Sequence, residues 1–139
     1  MNVDINWWGV ILGAVATMLI GAIYYSPWLL EAAWMKSAKV DKKRFEKDRV
    51  TVMPLVAVVA LLVSFMVAYF SFLFHAFFQY SWLVSSIDAA LLLWIGFSAT
   101  TVVVHGVLEQ KSRQLIYITI GNRLLSYLAV GLLVGWLHP

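Results

Sequence analysis

Four long apolar runs alternate with polar segments along this chain. The runs cover residues 7–25, 55–78, 83–107 and 115–137. Each is long enough to cross about 30 Å of hydrocarbon as an α-helix, which rises about 1.5 Å per residue. Because lipid offers the backbone no hydrogen-bond partners, we expect each run to be a transmembrane helix. The pattern predicts an all-α fold, an integral membrane four-helix bundle in which residues 1–139 form a single domain.

The polar segments differ in charge. Seven of the ten Lys and Arg residues lie between the first two runs, and Lys111 and Arg113 lie between the last two. The tenth, Arg123, lies inside the fourth run, whereas the N-terminal tail, the second loop and the C-terminus contain no Lys or Arg. The positive-inside rule therefore predicts a long cytoplasmic loop, with both termini outside.

Composition supports a membrane protein. Hydrophobic residues make up 63% of the chain and charged residues 12%, whereas soluble chains contain about 25% charged residues. The net charge of +3 comes from loops that topology explains, so we expect no nucleic-acid partner. Since there is no Cys, disulfides and thiol chemistry are excluded. The first run follows Asp4 without any Lys or Arg, unlike a cleaved signal, and is expected to remain in the mature protein.

The basic loop is predicted to contain helical structure. Ser26 can cap a helix and Pro27 suits its first position, so residues 28–37 are predicted to form a short helix at the membrane surface. In residues 41–49, acidic and basic side chains lie three or four positions apart, as in a helix exposed to water. This basic arm either contacts anionic headgroups or only enforces topology, and the second interpretation is favoured. Pro54 marks the predicted start of the second span.

Small residues recur at four-residue spacing in three of the runs, where they form stripes along which a second helix can approach closely. The stripes comprise Gly9, Gly13, Thr17 and Gly21; Ala60, Ser64 and Ala68; and Gly131 and Gly135. They can serve contacts within one chain or between copies. We expect membrane lipids as partners and a homo-oligomer, because four helices of this length enclose little space.

Ionisable residues inside the apolar runs form two candidate sites. An Arg at the bilayer centre costs about 2.5 to 3.5 kcal/mol on insertion scales and needs a partner or water. If the last hairpin turns near Lys111, the side chain of Arg123 reaches the level of His105 and Glu109. The predicted polar cluster is therefore His105, Glu109, Asn122 and Arg123.

The second candidate site lies at the other hairpin. If this hairpin turns between residues 81 and 82, His75 lies opposite Asp88 near the outer interface. A His held by a carboxylate can relay protons. A hydrogen bond that only pins the two helices is the favoured interpretation of this outer pair.

Several short motifs together resemble one family. They are GAIYYSP at 21–27, AAWM at 32–35, WIGF at 94–97, LE at 108–109 and GW at 135–136. The chain resembles the family called domain of unknown function seventeen-sixty-one, most specifically at Tyr25, Ser26, Pro27 and Trp34. The resemblance implies a small multi-pass protein of the bacterial inner (cytoplasmic) membrane without an assigned activity. The family pattern has Tyr and His at the positions of Asn122 and Arg123, so this chain departs from it there.

Two classes of function follow from these features. The chain has no GxSxG or HExxH motif and one intramembrane Asp, so we expect no enzymatic activity, no cofactor and no metal. The first hypothesis is a homo-oligomeric channel or carrier with a polar station at Arg123, His105 and Glu109. The alternative is a non-transporting scaffold, lipid-binding or partner-binding protein in which Arg123 and Glu109 form a structural ion pair.

Cysteine labelling can show whether water reaches Arg123 or whether this residue lies in a water-free ion pair. We would place single cysteines at Thr101, His105, Thr119 and Arg123 and treat each variant with a membrane-impermeant thiol reagent from either side. Reaction needs thiolate, and thiolate at this depth needs water. We expect reaction at 119 and 123 from the cytoplasmic side. Protection at all four positions, beside a reactive loop control, would instead indicate a dry ion pair.

Overall fold

The computed structural model describes residues 3–138 and is built from helices. They are α1 Trp7–Tyr24, α2 Glu31–Ala38, α3 Lys42–Phe78, α4 Trp82–Leu108 and α5 Arg113–Trp136. A π-helical segment, Trp94–Ala99, lies within α4. Helices α1, α3, α4 and α5 are long and apolar enough to cross a membrane. The predicted all-α membrane bundle is confirmed.

Helix α3 extends further toward its N-terminus than its apolar run. It begins at Lys42 rather than at Leu55, and therefore includes the charged arm. Pro54 lies inside this helix instead of at its start. A Pro removes one backbone hydrogen bond, but Pro54 is exposed, so its ring displaces no packed neighbour. The charged arm and the second span are thus one continuous helix.

Helix α2 begins later than predicted. Its first residue is Glu31, whereas residues 26–30 form tight turns. The Ser26 carbonyl accepts hydrogen bonds from the backbone N–H groups of Leu29 and Glu31. Ser26 therefore stabilises the turn that leaves α1 and does not cap α2.

A row of aromatic rings fixes α2 between α1 and α3. The ring centroids of Tyr24 and Tyr25 lie 5.4 Å apart, those of Tyr25 and Trp34 5.5 Å, and those of Trp34 and Phe45 5.0 Å. Aromatic contacts of this kind favour tilted and edge-to-face arrangements. This aromatic row ties the end of α1 to α2 and to the charged part of α3. Two of its members, Tyr25 and Trp34, belong to the motif that resembles the family.

We call the end of the bundle that carries the Lys- and Arg-rich loops the basic end. In the opposite half, several glycines let neighbouring helices approach closely. A Cβ atom added at Gly13 would lie 2.5 Å from Oγ of Ser64, and one at Gly131 would lie 2.9 Å from the Ser86 carbonyl oxygen. A Cβ at Gly9 would lie 3.0 Å from Cα of Val134.

The buried core occupies this same half of the bundle. Its members are Val10, Val67, Ala68, Ala90, Val130 and Val134. Ala60 and Ser64 of the α3 stripe are also buried. Because hydrophobic burial does not hold helices together in lipid, these close van der Waals contacts must do so.

Packing is looser toward the basic end. A Cβ at Gly21 would meet no atom within 4 Å, so the α1 stripe loses contact with its neighbours there. At Gly121 the nearest atom is the hydroxyl of Tyr24, at the tip of a long side chain. A tyrosine ring therefore lies between α1 and α5 at this level, and space opens between the helices.

Alanine substitutions should distinguish the glycines that contact a neighbouring helix from those that contact none. A Cβ at Gly135 would lie 2.7 Å from Cα of Leu83 and 3.0 Å from the Trp82 carbonyl oxygen. We expect Gly135→Ala to lower the free energy of unfolding by about 1 to 3 kcal/mol through overpacking. Gly21→Ala, the matched control, should cost nothing. Unfolding in mixed detergent micelles measures both, and equal stability of the two variants would contradict this account of the packing.

Candidate functional site

A cavity of about 340 Å³ lies between α1, α3 and α5, toward the basic end. We call it the Arg123 cavity. Thr17, Gly21 and Tyr25 line it from α1, Asp48, Arg49 and Met53 from α3, and Asn122 and Arg123 from α5. Its walls combine charged, polar and apolar groups in the part of the bundle where packing is loosest.

Arg123 has no acidic partner within this cavity. Among residues 3–138, no carboxylate oxygen lies within 4.0 Å of its guanidinium. Arg123 is exposed, and it lines the cavity together with Tyr25. A guanidinium inside a membrane helix needs water or an anion beside it.

Neighbouring groups add both hydrogen-bond donors and charge. The amide nitrogen of Asn122 is buried without a hydrogen-bond partner among the described residues. Arg49 brings a second guanidinium to the lining. The carboxylate of Asp48 lies 3.7 Å from Nε of Arg44, in a pair exposed to solvent. The lining thus carries two guanidinium groups and one carboxylate, and the Asn122 amide is a donor without a partner among the described residues.

A second cavity, of about 640 Å³, lies between α2 and the α4–α5 hairpin. Nζ of Lys111 lies 2.6 Å from Oε2 of Glu109, and Nδ1 of His105 lies 3.5 Å from Oε1 of the same carboxylate. The hydrogen bond from Lys111, reinforced by its charge, holds the pKa of Glu109 below its ordinary value. The acid of the predicted cluster is therefore satisfied by its own loop.

The structure brings His105 and Glu109 together but leaves Arg123 and Asn122 in the other cavity. Thr119 lines both cavities and lies between them on α5. Hairpin geometry fixes the height of Arg123 along the bundle but leaves open the side of α5 from which it projects. Lys111, two residues from Glu109, is also the nearer cation.

The outer pair, His75 and Asp88, is not in ionic contact. Nδ1 of His75 lies 2.6 Å from the Tyr80 carbonyl oxygen, and its ring stacks on Trp82 with centroids 3.8 Å apart. Trp82 in turn stacks on His138, at 3.5 Å. No basic group lies within 4.0 Å of Asp88 in the described part of the chain. The tight turn offers His75 a carbonyl and a ring nearer than Asp88.

Sequence reasoning missed the contribution of α3. The sequence predicts a solvated helix for Asp48 and Arg49, yet both line the Arg123 cavity, as does Met53. Their spacing, continued by Val52 and Val56, follows one helical face. This spacing could have shown that the charged arm and the second span share a face.

Residues 3–138 contain no group of three or more His, Asp and Glu that could hold a metal ion. The four apolar helices and the charged loops define a small multi-pass membrane protein. The chain belongs to the family described as Protein of unknown function (DUF1761), which matches residues 8–135. This confirms the resemblance seen in the sequence motifs. No curated protein and no solved structure matches the chain.

The Glu109 and Lys111 contact predicts a specific pH dependence. A pKa lowered in the folded state means that the contact stabilises the fold above the unfolded pKa of the carboxyl. This stabilisation is lost as the pH falls through the folded pKa. We expect Lys111→Gln to raise the pKa of Glu109, measured by NMR, and to reduce stability at neutral but not at strongly acidic pH.

The matched control is Lys36→Gln, since Lys36 is exposed and has no acidic group within 4.0 Å in the described chain. This variant should leave the Glu109 pKa unchanged. An unchanged Glu109 pKa in Lys111→Gln would contradict the assigned contact.

Proposed function

We propose that this protein binds an anionic ligand in the Arg123 cavity and acts as a small membrane carrier. The observation that carries the proposal is an arginine inside a membrane helix without an acidic partner among the described residues. Ionisable residues at such positions are costly and commonly mark ligand or ion pathways. An anion would satisfy both the charge and the donors of this cavity.

The chemistry of the lining favours an anion with several acceptor oxygens. A guanidinium can donate two parallel hydrogen bonds to a carboxylate or phosphate, and such charge-assisted bonds are stronger than neutral ones. The orphaned amide of Asn122 offers a further donor beside it. Attraction between charges also strengthens where water is partly excluded.

The shape of the cavity favours a carrier over a channel within one chain. Beyond Thr17 and Ser126, which line the cavity, the helices close at Gly13, Ser64 and Val130. Access is therefore one-sided, as in one state of alternating access. A channel in a homo-oligomer would instead need a path between copies, and exposed apolar residues on the spanning helices offer surface for such contacts.

The alternative is a protein that binds lipid or a partner without transport. The apolar part of the cavity wall favours lipid. The version with a structural Arg123 to Glu109 ion pair loses its support, because Glu109 contacts Lys111 and His105. We further propose that the protein has no enzymatic activity and lies in the cytoplasmic membrane with its basic end inside.

Ligand-dependent stability tests the binding step. Purified protein in detergent would be unfolded thermally with inorganic phosphate, small carboxylates and anionic lipids. At about one hundred times its Kd, a ligand should stabilise the protein by about 2.7 kcal/mol. Arg123→Gln should abolish this gain, whereas Arg113→Gln, on the same helix outside the cavity, should keep it.

Transport is tested separately in reconstituted vesicles. We expect uptake of a stabilising anion above that of empty vesicles, with loss in Arg123→Gln and retention in Arg113→Gln. Stabilisation without uptake would refute the carrier and favour the binding protein. If no anion stabilises the protein through Arg123, the proposed binding function itself is refuted.

A further inference from the structure

We infer that the ligand of the Arg123 cavity is an anionic phospholipid, bound with its phosphate at Arg123 and an acyl chain along the α1 and α3 walls. This inference rests on the proposed anion-binding function and names its ligand class. It depends on three features of the cavity: the position of its charges, the change of polarity along α3, and the open space at Gly21.

Two arginines line the cavity. Arg49 lies on α3 and Arg123 on α5. Asp48, the acid of this lining, has Arg44 as its ionic partner. A phosphate at Arg123 would accept charge-assisted hydrogen bonds from its guanidinium.

The α3 wall changes from charged to apolar along its length. Asp48 and Arg49 lie nearer the basic end, and Val52, Met53 and Val56 continue the same lining. From 48 to 56 the wall extends about 12 Å at about 1.5 Å per residue. A small inorganic anion would contact only the charged end of this wall. A phospholipid carries a charged phosphate followed by hydrocarbon, in the same order as the wall.

The α1 wall leaves room for the hydrocarbon. Gly21 has no neighbouring atom within 4 Å of an added Cβ, in contrast to Gly13 in the same stripe. Met18 and Ala22 line the cavity beside it. Methionine side chains adapt to irregular apolar surfaces, and Met18 and Met53 on facing walls would accommodate acyl chains of different shape.

Lipid binding can be measured directly on the purified full-length protein by native mass spectrometry and thermal unfolding in detergent. The probes are phosphatidylglycerol, phosphatidylcholine as the neutral-headgroup control, and inorganic phosphate. We expect phosphatidylglycerol to bind at least about tenfold more tightly than phosphatidylcholine, because both carry a phosphodiester anion but the trimethylammonium of choline is repelled by the arginine. Inorganic phosphate should bind much more weakly than phosphatidylglycerol.

Three variants assign the binding to the cavity. Arg123→Gln should remove the preference for phosphatidylglycerol, and Arg113→Gln should keep it. Gly21→Leu places a side chain into the open space and should weaken binding of both phospholipids. Because Gly21 contacts no neighbour, this variant should fold, and its helical content is checked by circular dichroism.

The outcomes separate this inference from the proposed function. If inorganic phosphate binds through Arg123 as tightly as phosphatidylglycerol, the lipid assignment is wrong and the anion site remains. If phosphatidylglycerol binds equally well to Arg123→Gln, the exposed basic arm holds it and the lipid assignment is again wrong. If no probe binds through Arg123, both proposals fail.

Discussion

Close backbone contact at a few glycines is the constraint on which this bundle depends. Gly13 lies against Ser64 and Val130, and Gly131 and Gly135 lie against the start of α4. In lipid such contacts replace the hydrophobic effect as the source of helix association. They all lie in the half of the bundle away from the basic end. The packed core lies in that half as well.

Because the helices are joined tightly in one half, the other half can open. The ring of Tyr24 lies between α1 and α5 where Gly121 would permit a closer approach. The aromatic row through Tyr25, Trp34 and Phe45 then holds α2 and the charged turns of α3 beside the gap. The residues that resemble the family motif thus build the frame of the Arg123 cavity. Anion binding at Arg123 is proposed for this chain and not for the family.

The two cavities differ in how their charges are satisfied. Glu109 is paired within its own hairpin by Lys111 and His105, and its side chain is half exposed. Contacts of this kind contribute little to stability and respond to pH and salt. Arg123 lies deeper and lacks an acid among the described residues, so its charge is available for a ligand. The intramembrane arginine, and not the cluster of His105 and Glu109, is therefore the stronger candidate for function.

The sequence by itself determined the four spans, the all-α class and the small-residue stripes. Lipid imposes these features on each segment separately, through helix length and backbone hydrogen bonding. Hairpin spacing also gave the approximate depth of Arg123. Only the tertiary structure decided which way Arg123 faces and that the charged arm of α3 lies beside it. The rotation of a helix about its own axis depends on contacts such as Gly13 with Val130, between residues far apart in the chain, and no local pattern encodes it.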